Sequence, residues 1–501
     1  MNVPENDLLC LHEKDNVGIA LRKLTPSDSS AKETIPQAHK MALDDIVDGA
    51  LIYRYGQVIG QAAAPIAKGA HVHSHNLKMS TRQDHHDFGQ NAVPLDAAET
   101  ARQFNGFHRD TGRVGTRNYL GVLTSVNCAG SVARFIAEAA EKSGMLADFP
   151  NVDGIVPIVH GTGCGMASDG AGYALLLRTL AGYAQHPNFG GVLLVGLGCE
   201  MMQLASLVGD RRISAHGDMR YMTIQQTGGT RKTIEKGVAE LRDLAAIANR
   251  AERAPAPVSK LVLGMQCGGS DGYSGFTANP ALGAASDLLV RYGGTSILSE
   301  TPEIYGAEHL LTDRAMTPAV GQALLDKVRW WENYCDSHGA SLDNNPSPGN
   351  KRGGLTTILE KSLGAVSKSG QAPLAGVYDY AAPITQPGFV FMDSPGYDPC
   401  SVTGQIASGA NLIAFTTGRG SVSGFMPTPC IKLASNTALY ERMEEDMDIN
   451  CGVIADGVSV QSVGDAVFER LIAVASGQHS KSEALGFGGV EFVPWQIGAV
   501  L

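Results

Sequence analysis

The chain has 501 residues, with 39 Lys and Arg against 50 Asp and Glu, which gives a formal net charge of −11. Apolar residues make up 44% and charged residues 18%, a composition typical of a folded protein of several domains and unlike that of a disordered chain. The acidic balance argues against binding to nucleic acid or to an anionic membrane, because both interactions need clustered Lys and Arg. No apolar run approaches about 18 residues, and the N-terminus MNVPENDLLC has no leader pattern, so the expected location is the cytoplasm.

Glycine and cysteine usage narrows the class of protein further. The chain contains 60 glycines and only 6% aromatic residues, which is typical of large α/β proteins with many tight turns between strands and helices. Nine cysteines in a long chain expected inside the cell do not predict a disulfide framework. Metal binding and catalysis are therefore the roles to consider for these thiols.

The pattern along the chain predicts three domains. Residues 1–77 consist of short apolar runs between turns, which favours a small, mostly β domain. Residues 78–105 are polar without a clear period and predict a linker. Residues 106–255 and 256–501 alternate apolar runs with helical stretches, and the Pro- and Ala-rich segment 252–260 separates them. The fold class is therefore α/β, with parallel sheets behind a small β domain.

The predicted buried strands share a nearly continuous apolar sequence, as expected when both faces of a sheet are covered. They are YLGVLTSV (119–126), GIVPIVH (154–160), GVLLVGLG (191–198), KLVLGMQCGG, GTSILSE, GFVFMDSP and NLIAFTTGRG. In such sheets, ligands bind beyond the carboxyl ends of the strands. Residues with metal-binding or acid–base side chains follow four of these strands, and they are Cys128, His160, Cys164, Cys199, Glu200, Cys267 and Asp271.

This convergence at strand ends predicts a metal or catalytic site. A thiolate is a soft ligand suited to iron, zinc or an iron–sulfur cluster. The spacing of the cysteines matches no zinc-finger or ferredoxin pattern, so their position and not their spacing supports the prediction. The alternative is that each cysteine is simply a small buried residue.

The segment GAHVHSHN offers a second metal site. In an extended chain, alternation places His71, His73 and His75 on one face. Neutral imidazoles on one face form a good site for a divalent metal. The alternative is a solvated, histidine-rich edge strand.

Several basic or glycine-rich turns could bind carboxylates. Arg113 and Arg117 precede the first buried strand, Lys351 lies in NPSPGNKRGG, and Thr416 and Arg419 lie in TTGRGS. The alternative is ordinary turn chemistry with solvated charges. The chain has no Walker A motif, no clean GxGxxG after a first strand and no GxSxG elbow, which disfavours a nucleotide-dependent enzyme and a serine hydrolase.

Several long blocks resemble the sugar-acid dehydratases that include altronate dehydratase and galactarate dehydratase. The blocks are GRVGTRNYLGVLTSVNC, HGTGC, GGVLLVGLGCE, GMQCGGSDGYSGFTANPALG, NPSPGNKRGGLTTILEKSLG and FTTGRGSVSGF. The resemblance runs from about residue 10 to the C-terminus, and the first unit is similar to the SAF, or β-clip, domain of those enzymes. The segments HVHSHN and PEIYGAEHLL (302–311) resemble the altronate branch more closely.

The resemblance implies an architecture and an activity. The implied parts are a β-clip domain, a second domain used to form a homodimer, and a C-terminal Rossmann-like variant. The implied reaction converts a sugar acid to a 2-keto-3-deoxy acid with the help of Fe²⁺, as a single ion or a cluster, or of Mn²⁺ or another divalent metal. A galactarate dehydratase, a related lyase such as sulfolactate sulfo-lyase, and a sugar-acid binding protein without turnover are the alternatives.

Loss of water from a hydroxy acid requires a metal or another electrophile, a general base and a general acid. We predict His160 as the first acid–base candidate, with Glu200 and Asp271 second. Cys128, Cys164 and Cys199 are predicted to hold iron, with Cys267 completing or bordering the site and the histidine triplet as the alternative. The predicted substrate-binding residues are Arg117, Asn118, Ser270, Lys351, Thr416 and Arg419. Lys361 and Lys432 are interpreted as ordinary surface charges.

Overall fold

The structure is a computed structural model that describes residues 7–27, 30–80, 86–209 and 218–501. Small antiparallel sheets lie near the N-terminus, and two parallel sheets follow. The predicted α/β fold class is therefore confirmed. Residues 1–6 of the predicted first domain and 81–85 of the predicted linker lie outside the described residues.

Seven short strands build the first domain, and every pairing between them is antiparallel. They are β1 (Leu8–Leu9), β2 (Val17–Ala20), β3 (Lys40–Ala42), β4 (Leu51–Arg54), β5 (Gln57–Ala62), β6 (His71–Val72) and β7 (Leu77–Lys78). They form two sheets, in the orders β1-β2-β3-β6 and β4-β5-β7. The prediction of a small, mostly β domain is confirmed.

A parallel sheet forms the second part of the chain. Before it, β8 (Gln103–His108) and β9 (Val114–Gly115) belong to a separate antiparallel sheet. The strands of the parallel sheet are β10 (Tyr119–Thr124), β11 (Gly154–Ile158), β12 (Phe189–Gly196) and β13 (Met219–Thr223). The strand order is β11-β10-β12-β13. Its helices are α1 (Gly130–Lys142), α2 (Ala171–Ala184), α3 (Leu204–Val208), α4 (Ile224–Thr227) and α5 (Thr230–Ala248). The three apolar runs predicted here are strands β10, β11 and β12.

A second, seven-stranded parallel sheet forms the C-terminal part. Strand β14 (Arg253–Pro257) precedes this sheet and pairs with β8. The strands of the sheet are β15 (Val262–Cys267), β16 (Thr295–Leu298), β17 (Leu374–Tyr378), β18 (Gly388–Met392), β19 (Leu412–Thr417), β20 (Cys430–Ala434) and β21 (Ile449–Asn450). The strand order is β17-β18-β16-β15-β19-β20-β21. The four apolar runs predicted in this part are β15, β16, β18 and β19.

Nine helices accompany these strands in the described residues. They are α6 (Ala278–Arg291), α7 (His309–Thr312), α8 (Pro318–Ser337), α9 (Pro348–Arg352), α10 (Ile358–Val366), α11 (Asp398–Ala407), α12 (Thr437–Arg442), α13 (Val460–Ala475) and α14 (Lys481–Ala484). None of the helices in the described ranges combines the length and the apolar character needed to cross a membrane.

The large sheet is covered on both faces, which explains its continuous apolar strands. In β19, Leu412 and Ala414 pack into the core that contains α6 and α13. Ile413 and Phe415 point the other way, into the core that contains α11 and α2 of the second part. Successive residues of one strand thus serve opposite faces, so no polar position interrupts the run.

The strand order reverses at β15, in the middle of this sheet. The chain passes from β15 to β16 on one side, and β19 pairs with β15 on the other side. In open parallel sheets, the crevice beyond the carboxyl ends of the strands at such a point is where ligands bind. The fold therefore positions a site next to Cys267, the last residue of β15.

The β domain is attached to the C-terminal part through buried charges. Lys40 Nζ donates to both carboxylate oxygens of Glu360 at 2.9 Å, and Arg54 Nη1 donates to Glu360 Oε1 at 2.5 Å. Burial alone would raise the pKa of Glu360, but Lys40 and Arg54 lower it to about 2. The three groups form an ionised cluster inside the protein, which fixes the β domain against α10.

Candidate active site

A cavity of about 440 Å³ opens beyond the carboxyl end of β15. Its walls come from segments that follow three neighbouring strands: residues 267–269 after β15, Glu303 after β16 and Asp398 after β18. Helix α10 adds Lys361. Parallel strands bring their carboxyl ends to one edge of the sheet, so residues far apart in sequence meet here.

Three buried side chains in this region form a potential metal-binding site. Cys267, Glu300 and Glu303 each place one potential ligand atom within 4.8 Å of the others. No other set of three His, Cys, Asp or Glu side chains meets this distance in the part of the chain that the structure describes. One sulfur and two carboxylate oxygens form a donor set of mixed softness, which suits a first-row divalent metal such as iron.

Glu300 combines a rare backbone conformation with a buried carboxyl group. Its backbone φ is +71°, in the left-handed region that non-glycine residues seldom adopt. Its side chain is 1% exposed, and neither carboxylate oxygen has a hydrogen-bond partner. Burial, and then the neighbouring Glu303, raise the pKa of Glu300 well above its ordinary value. Lys368 Nζ lies 4.0 Å from Glu300 Oε2, and a bound cation would add a second positive charge in direct contact with the carboxylate.

Two lysines neutralise part of this acidic cluster. Lys361 Nζ donates to Glu303 Oε1 at 2.6 Å and to Asn345 Oδ1 at 3.0 Å, and Lys368 Nζ donates to Cys267 Sγ at 2.8 Å. The two lysines are seven residues apart, about two helical turns, so they lie on the same side of α10 and the turn after it. Burial raises the pKa of Cys267 to about 11 even beside Lys368.

The sequence-based interpretation of Lys361 and Lys432 as surface charges is wrong. Lys361 is 7% exposed, and Lys432 is fully buried in β20, with its Nζ 5.3 Å from the centre of the Phe487 ring. Glu303 and Cys267 raise the pKa of Lys361 against the opposing effect of burial. A buried, charged lysine beside a cavity is a candidate for binding an anion.

Asp398 is the acid–base group that the cavity presents at the start of α11. Gln266 Nε2 donates to Asp398 Oδ1 at 2.9 Å. Burial, reinforced by the charge of Glu303, raises the pKa of Asp398 to about 6, while the hydrogen bond from Gln266 acts in the opposite direction. A carboxyl group with this pKa is ionised at neutral pH and is a stronger base than an ordinary aspartate. A Cβ at Gly268 would lie 2.3 Å from Asp398 Oδ2, so this approach requires glycine.

The predicted cysteines divide between two sites. Cys128, Cys164 and Cys199 are exposed on loops that follow β10, β11 and β12, which are neighbours in the second-domain sheet. A backbone hydrogen bond of 2.9 Å joins the first two loops. Cys267 is buried at the end of β15 in the other sheet. The strand ends thus bring three of the cysteines to one edge and the fourth to the cavity.

His160 and Glu200 lie beside the exposed cysteines and are bonded within the protein. His160 Nε2 lies 3.1 Å from Thr124 O, and its Nδ1 accepts from Thr162 N at 3.3 Å. Burial lowers the pKa of His160 to about 4. Glu200 Oε1 accepts from Ser125 Oγ at 2.8 Å, and Oε2 accepts from a backbone amide. Both side chains fix the local loops.

Asp271 and Ser270 lie in the turn behind the cavity wall. Asp271 Oδ1 accepts from two backbone amides and from the hydroxyls of Ser274 and Ser435. Ser270 is buried, its Oγ has no hydrogen-bond partner, and its carbonyl accepts from Asn350 Nδ2 at 2.8 Å. Asn350 lines the cavity, so this turn supports the wall.

The remaining predicted binding residues fall in two places. Thr416 is buried, and its Oγ1 donates to Asn279 Oδ1 at 2.5 Å. Arg419 is exposed, and its backbone N–H donates to Gly269 O at 2.9 Å. Both residues therefore lie at the edge formed by β15 and β19. Lys351 lies in α9, part of the neighbouring wall.

Arg117 and Asn118 lie elsewhere, where the second domain meets the C-terminal helices. The guanidinium of Arg117 is buried against Glu483, with hydrogen bonds of 2.6 and 2.8 Å. Asn118 Oδ1 accepts from Arg109 at 2.9 Å. Neither side chain is among those that line the cavity.

Sequence reasoning missed Glu300, Glu303, Lys368 and Asp398. Glu300 could have been predicted, because it directly follows the strand GTSILS. Residues at the carboxyl ends of parallel strands are candidates for ligand binding, and Cys267 was predicted on that ground. Glu303 lies in the block PEIYGAEHLL, which was noted only for its resemblance. Lys368 and Asp398 belong to no motif, and only the folded chain brings them to the cavity.

The architecture and the site define a class of protein: an α/β enzyme with a metal-capable acid–base site at the switch point of a parallel sheet. Three family models match consecutive parts of the chain. They are the altronate/galactarate dehydratase SAF domain (6–80), the D-galactarate dehydratase/altronate hydrolase second domain (106–249) and the D-galactarate/altronate dehydratase C-terminal domain (258–500). The chain belongs to the altronate/galactarate dehydratase family, and the resemblance identified in the sequence is confirmed.

Individual relatives agree with this assignment. The chain is 38% identical over 498 residues to galactarate dehydratase (L-threo-forming) of Escherichia coli K12, covering 93% of this chain and 92% of that one. It is 34% identical over 488 residues to altronate dehydratase of Bacillus subtilis 168, covering 94% and 96%. It is 33% identical over 488 residues to altronate dehydratase of Escherichia coli K12, covering 95% and 97%. The prediction of a lyase enzyme is therefore confirmed, and the chain is a sugar-acid dehydratase by family.

Proposed function

We propose that this protein removes water from an altronate-type aldonate and forms a 2-keto-3-deoxy acid with the assistance of Fe²⁺, as a step in the breakdown of sugar acids. The observation that carries the proposal is one cavity lined by Cys267, Glu303, Asp398 and Lys361, with Glu300 buried behind its wall and within 4.8 Å of Cys267 and Glu303 as the third member of a metal-capable triad. Mn²⁺ is the second choice of metal, since two of the three donors are carboxylates.

The lining of the cavity supports a substrate with one carboxylate. Lys361 is the one cationic side chain among the described residues that line it. Besides Glu303 and Asp398, the cavity is lined by amides and hydroxyls that suit the hydroxyl groups of a sugar acid, and they are Ser341, Asn344, Asn345, Ser347, Asn350 and Tyr397. Because buried polar sites discriminate strongly against unpaired groups, a second carboxylate would lack a partner here. This favours an aldonate over an aldarate.

The triad fits a divalent cation by the chemistry of its donors and by the two unpartnered carboxylate oxygens of Glu300. When bound, such a cation supplies positive charge that stabilises electron density on the substrate carboxylate as the proton at C2 departs. Lys361 pairs with the same carboxylate and orients it. The charge of Lys368, beside Cys267, opposes the effect of burial and so lowers the cost of ionising the sulfur when a cation binds.

Asp398 performs the proton transfers in this proposal. Its carboxylate takes the proton from C2 of the substrate, and the electron pair forms the C2–C3 double bond as the C3 hydroxyl leaves. The same carboxyl group returns its proton to that hydroxyl, so that one water molecule is released and Asp398 is ionised again. The enol then rearranges to the 2-keto acid. A pKa of about 6 suits a group that both accepts and donates a proton near neutral pH.

We assign these transfers to Asp398 and not to His160, Glu200 or Asp271 because Asp398 lines the cavity and those three residues do not. The exposed edge with Cys128, Cys164 and Cys199 remains the alternative location for iron, either as an ion or as a cluster. The two locations differ in the sheet to which they belong, so they can be tested separately.

The proposal is tested by turnover. The full chain, reconstituted with Fe²⁺ and reductant without oxygen, is given altronate, galactarate and sulfolactate in parallel, and keto-acid formation is measured. We expect kcat/KM for altronate to exceed that for galactarate by at least about tenfold, the effect of one unpaired buried charge. Preferred turnover of galactarate or sulfolactate would reject the proposed substrate, and no turnover of any would reject the activity.

Galactarate is the second candidate because the relative with 38% identity is a galactarate dehydratase, whereas the two altronate dehydratases are 34% and 33% identical. In that case the second carboxylate would need a cation outside the cavity wall. Arg419 and Lys351, at two sides of the crevice, are the side chains to substitute.

We also propose that the protein acts in the cytoplasm as a homodimer formed through its second domain, as the resemblance to the family implies. The mass of the full chain in solution, measured by light scattering, tests the dimer. A mass of 52.6 kDa, that of one chain, would contradict it.

A further inference from the structure

Four histidines meet where the β domain touches α9. His39 precedes β3 and His71 begins β6, which pairs with β3, while His73 and His75 lie in the turn that follows. The ring centres of His39 lie 5.0 Å from those of both His71 and His73, and the ring of His71 lies 5.4 Å from His73 and 5.5 Å from His75. The predicted triplet therefore clusters, and His39, from a distant segment, completes it.

Two of these rings are oriented by backbone carbonyls of α9. His73 Nε2 lies 2.8 Å from Lys351 O, and His39 Nε2 lies 3.2 Å from Arg352 O. A carbonyl can only accept, so each Nε2 carries the proton and each Nδ1 presents a lone pair. Histidines that bind metals commonly donate their other ring N–H to a carbonyl in this way.

The spacing of the rings suits a metal ion. His39 Nδ1 lies 2.9 Å from His71 Nε2. Two imidazole nitrogens on one tetrahedral ion lie about 3.3 Å apart, given metal–nitrogen distances of about 2.0 Å, so this pair is close to that geometry. Because His39 Nε2 carries the proton of its ring, His71 Nε2 donates to His39 Nδ1 in this contact, and a divalent cation would displace that proton and bind both nitrogens.

We propose that His39, His71 and His73, with His75 at the open side, form a second metal site that takes a divalent transition metal of the Zn²⁺ class. No three of these histidines have ring nitrogens within 4.8 Å of one another in the described residues. Metal binding therefore requires rotation of the half-buried His73 or of the exposed His75. The donors are all imidazoles, which separates this site from the sulfur- and carboxylate-based triad at Cys267.

The histidine cluster lies against α9, the helix that supports one wall of the cavity. The carbonyls that accept from His73 and His39 belong to Lys351 and Arg352 of α9. Ser347 and Asn350, at the start of this helix, line the cavity. A metal held by the β domain would therefore brace the cavity wall of the C-terminal domain. The site does not depend on the identity of the substrate.

The test is a metal count with a spectroscopic signature. The full chain is stripped with a chelator, loaded with Co²⁺ and desalted, and the cobalt content is measured for the wild type, His71→Asn, His39→Asn and His108→Asn. His108 is an exposed histidine on β8 and serves as the matched control. We expect His71→Asn and His39→Asn to lose one equivalent of cobalt, and His108→Asn to lose none. The lost equivalent should carry no sulfur-to-cobalt absorption.

A second measurement needs no variant. Zn²⁺ should protect the half-buried His71 and His73 of the unmodified chain from acylation by diethyl pyrocarbonate, as read by peptide mass spectrometry, and leave His108 unprotected. Equal cobalt content in all four proteins, a lost equivalent with sulfur absorption, or equal modification with and without Zn²⁺ would overturn the proposal. None of these results depends on turnover, so they are distinct from a failure of the proposed activity.

Discussion

Among single residues, Glu300 lowers the stability of the folded protein when it ionises, and it is also a candidate ligand of the metal. The folded chain holds a proton on this buried carboxyl more tightly than the unfolded chain does, because the pKa of Glu300 is raised on folding. The contribution to stability is therefore present at low pH and is lost as pH rises above the unfolded value of about 4.3. A cation at the site would reverse this loss.

We predict that Glu300→Gln stabilises the metal-free protein and that its advantage over the wild type grows as pH rises above the unfolded value of about 4.3, because the amide does not ionise. The variant should also lose bound metal. Urea unfolding of metal-free samples at several pH values checks the first effect. Glu138→Gln, at an exposed helical ion pair, is the control and should show no such trend. A constant difference across this range would contradict the account of Glu300.

Asp398 sets the pH dependence of the proposed reaction. The base must be ionised, and the pKa of Asp398 is about 6, so kcat/KM should fall as pH drops through about 6 and level off above it. Asp398→Asn should lower kcat by about 10²- to 10⁴-fold, the usual effect of removing a general base. Asp465→Asn on the exposed face of α13 should leave the rate unchanged. An active Asp398→Asn enzyme with the same pH profile would exclude this base.

At the scale of elements, close packing between the residues after β15 and the start of α11 fixes the position of Asp398. A methyl group added at Gly268 would lie 2.3 Å from Asp398 Oδ2 and 2.7 Å from Phe415 Cζ. We predict that Gly268→Ala displaces Asp398 and lowers activity by at least about tenfold, since overpacking costs about 1–3 kcal/mol. A Cβ at Gly161, in the loop after β11, would meet nothing within 4 Å, so Gly161→Ala should retain full activity. Activity assays and thermal melts of the two variants decide this, and equal activity would contradict it.

The strands were predictable where both faces of the sheet are covered. Runs such as β12 and β19 are apolar throughout because helices lie on each side, and the sequence shows this directly. Strand β20 was missed because Lys432 stands in its centre and breaks the apolar run. Strand β13 was missed for a similar reason, since it contains Arg220. A charge whose partners come from distant segments cannot be recognised as buried from its own neighbours in sequence.

The same dependence on distant segments explains why only part of the candidate site could be predicted from the sequence. The strand-end rule located Cys267 because it depends only on local sequence and the parallel fold. It did not pair Cys267 with Lys368, 101 residues further on, because that contact depends on how α10 packs. The histidine triplet was predicted from its alternation, whereas His39 joins it only through the pairing of β3 with β6.

Across the whole protein, Glu360 holds the β domain to the C-terminal domain. Burial lowers the pKa of Lys40 to about 8, whereas its neighbours hold that of Glu360 near 2, so the cluster with Arg54 stays ionised at neutral pH. Removing the carboxylate leaves two buried cations with backbone carbonyl partners but without their counter-ion. We predict that Glu360→Gln lowers the free energy of unfolding by about 3–5 kcal/mol, the cost of breaking a buried ion pair.

Denaturant unfolding followed by circular dichroism checks this value. The matched control is Glu469→Gln, which removes a carboxylate from the solvent-exposed pair with Arg102 and should cost at most about 1 kcal/mol. Similar losses for the two variants would show that the buried cluster does not fix the β domain.

The central claim is that the metal used in the reaction lies beyond the carboxyl end of β15. Anomalous diffraction at the iron edge, from crystals of the Fe²⁺-loaded full chain grown without oxygen, tests it most directly. We predict that the strongest iron peak lies between Cys267 Sγ and the carboxylates of Glu300 and Glu303. Iron bound only among Cys128, Cys164 and Cys199, with no peak at Cys267, would contradict the account.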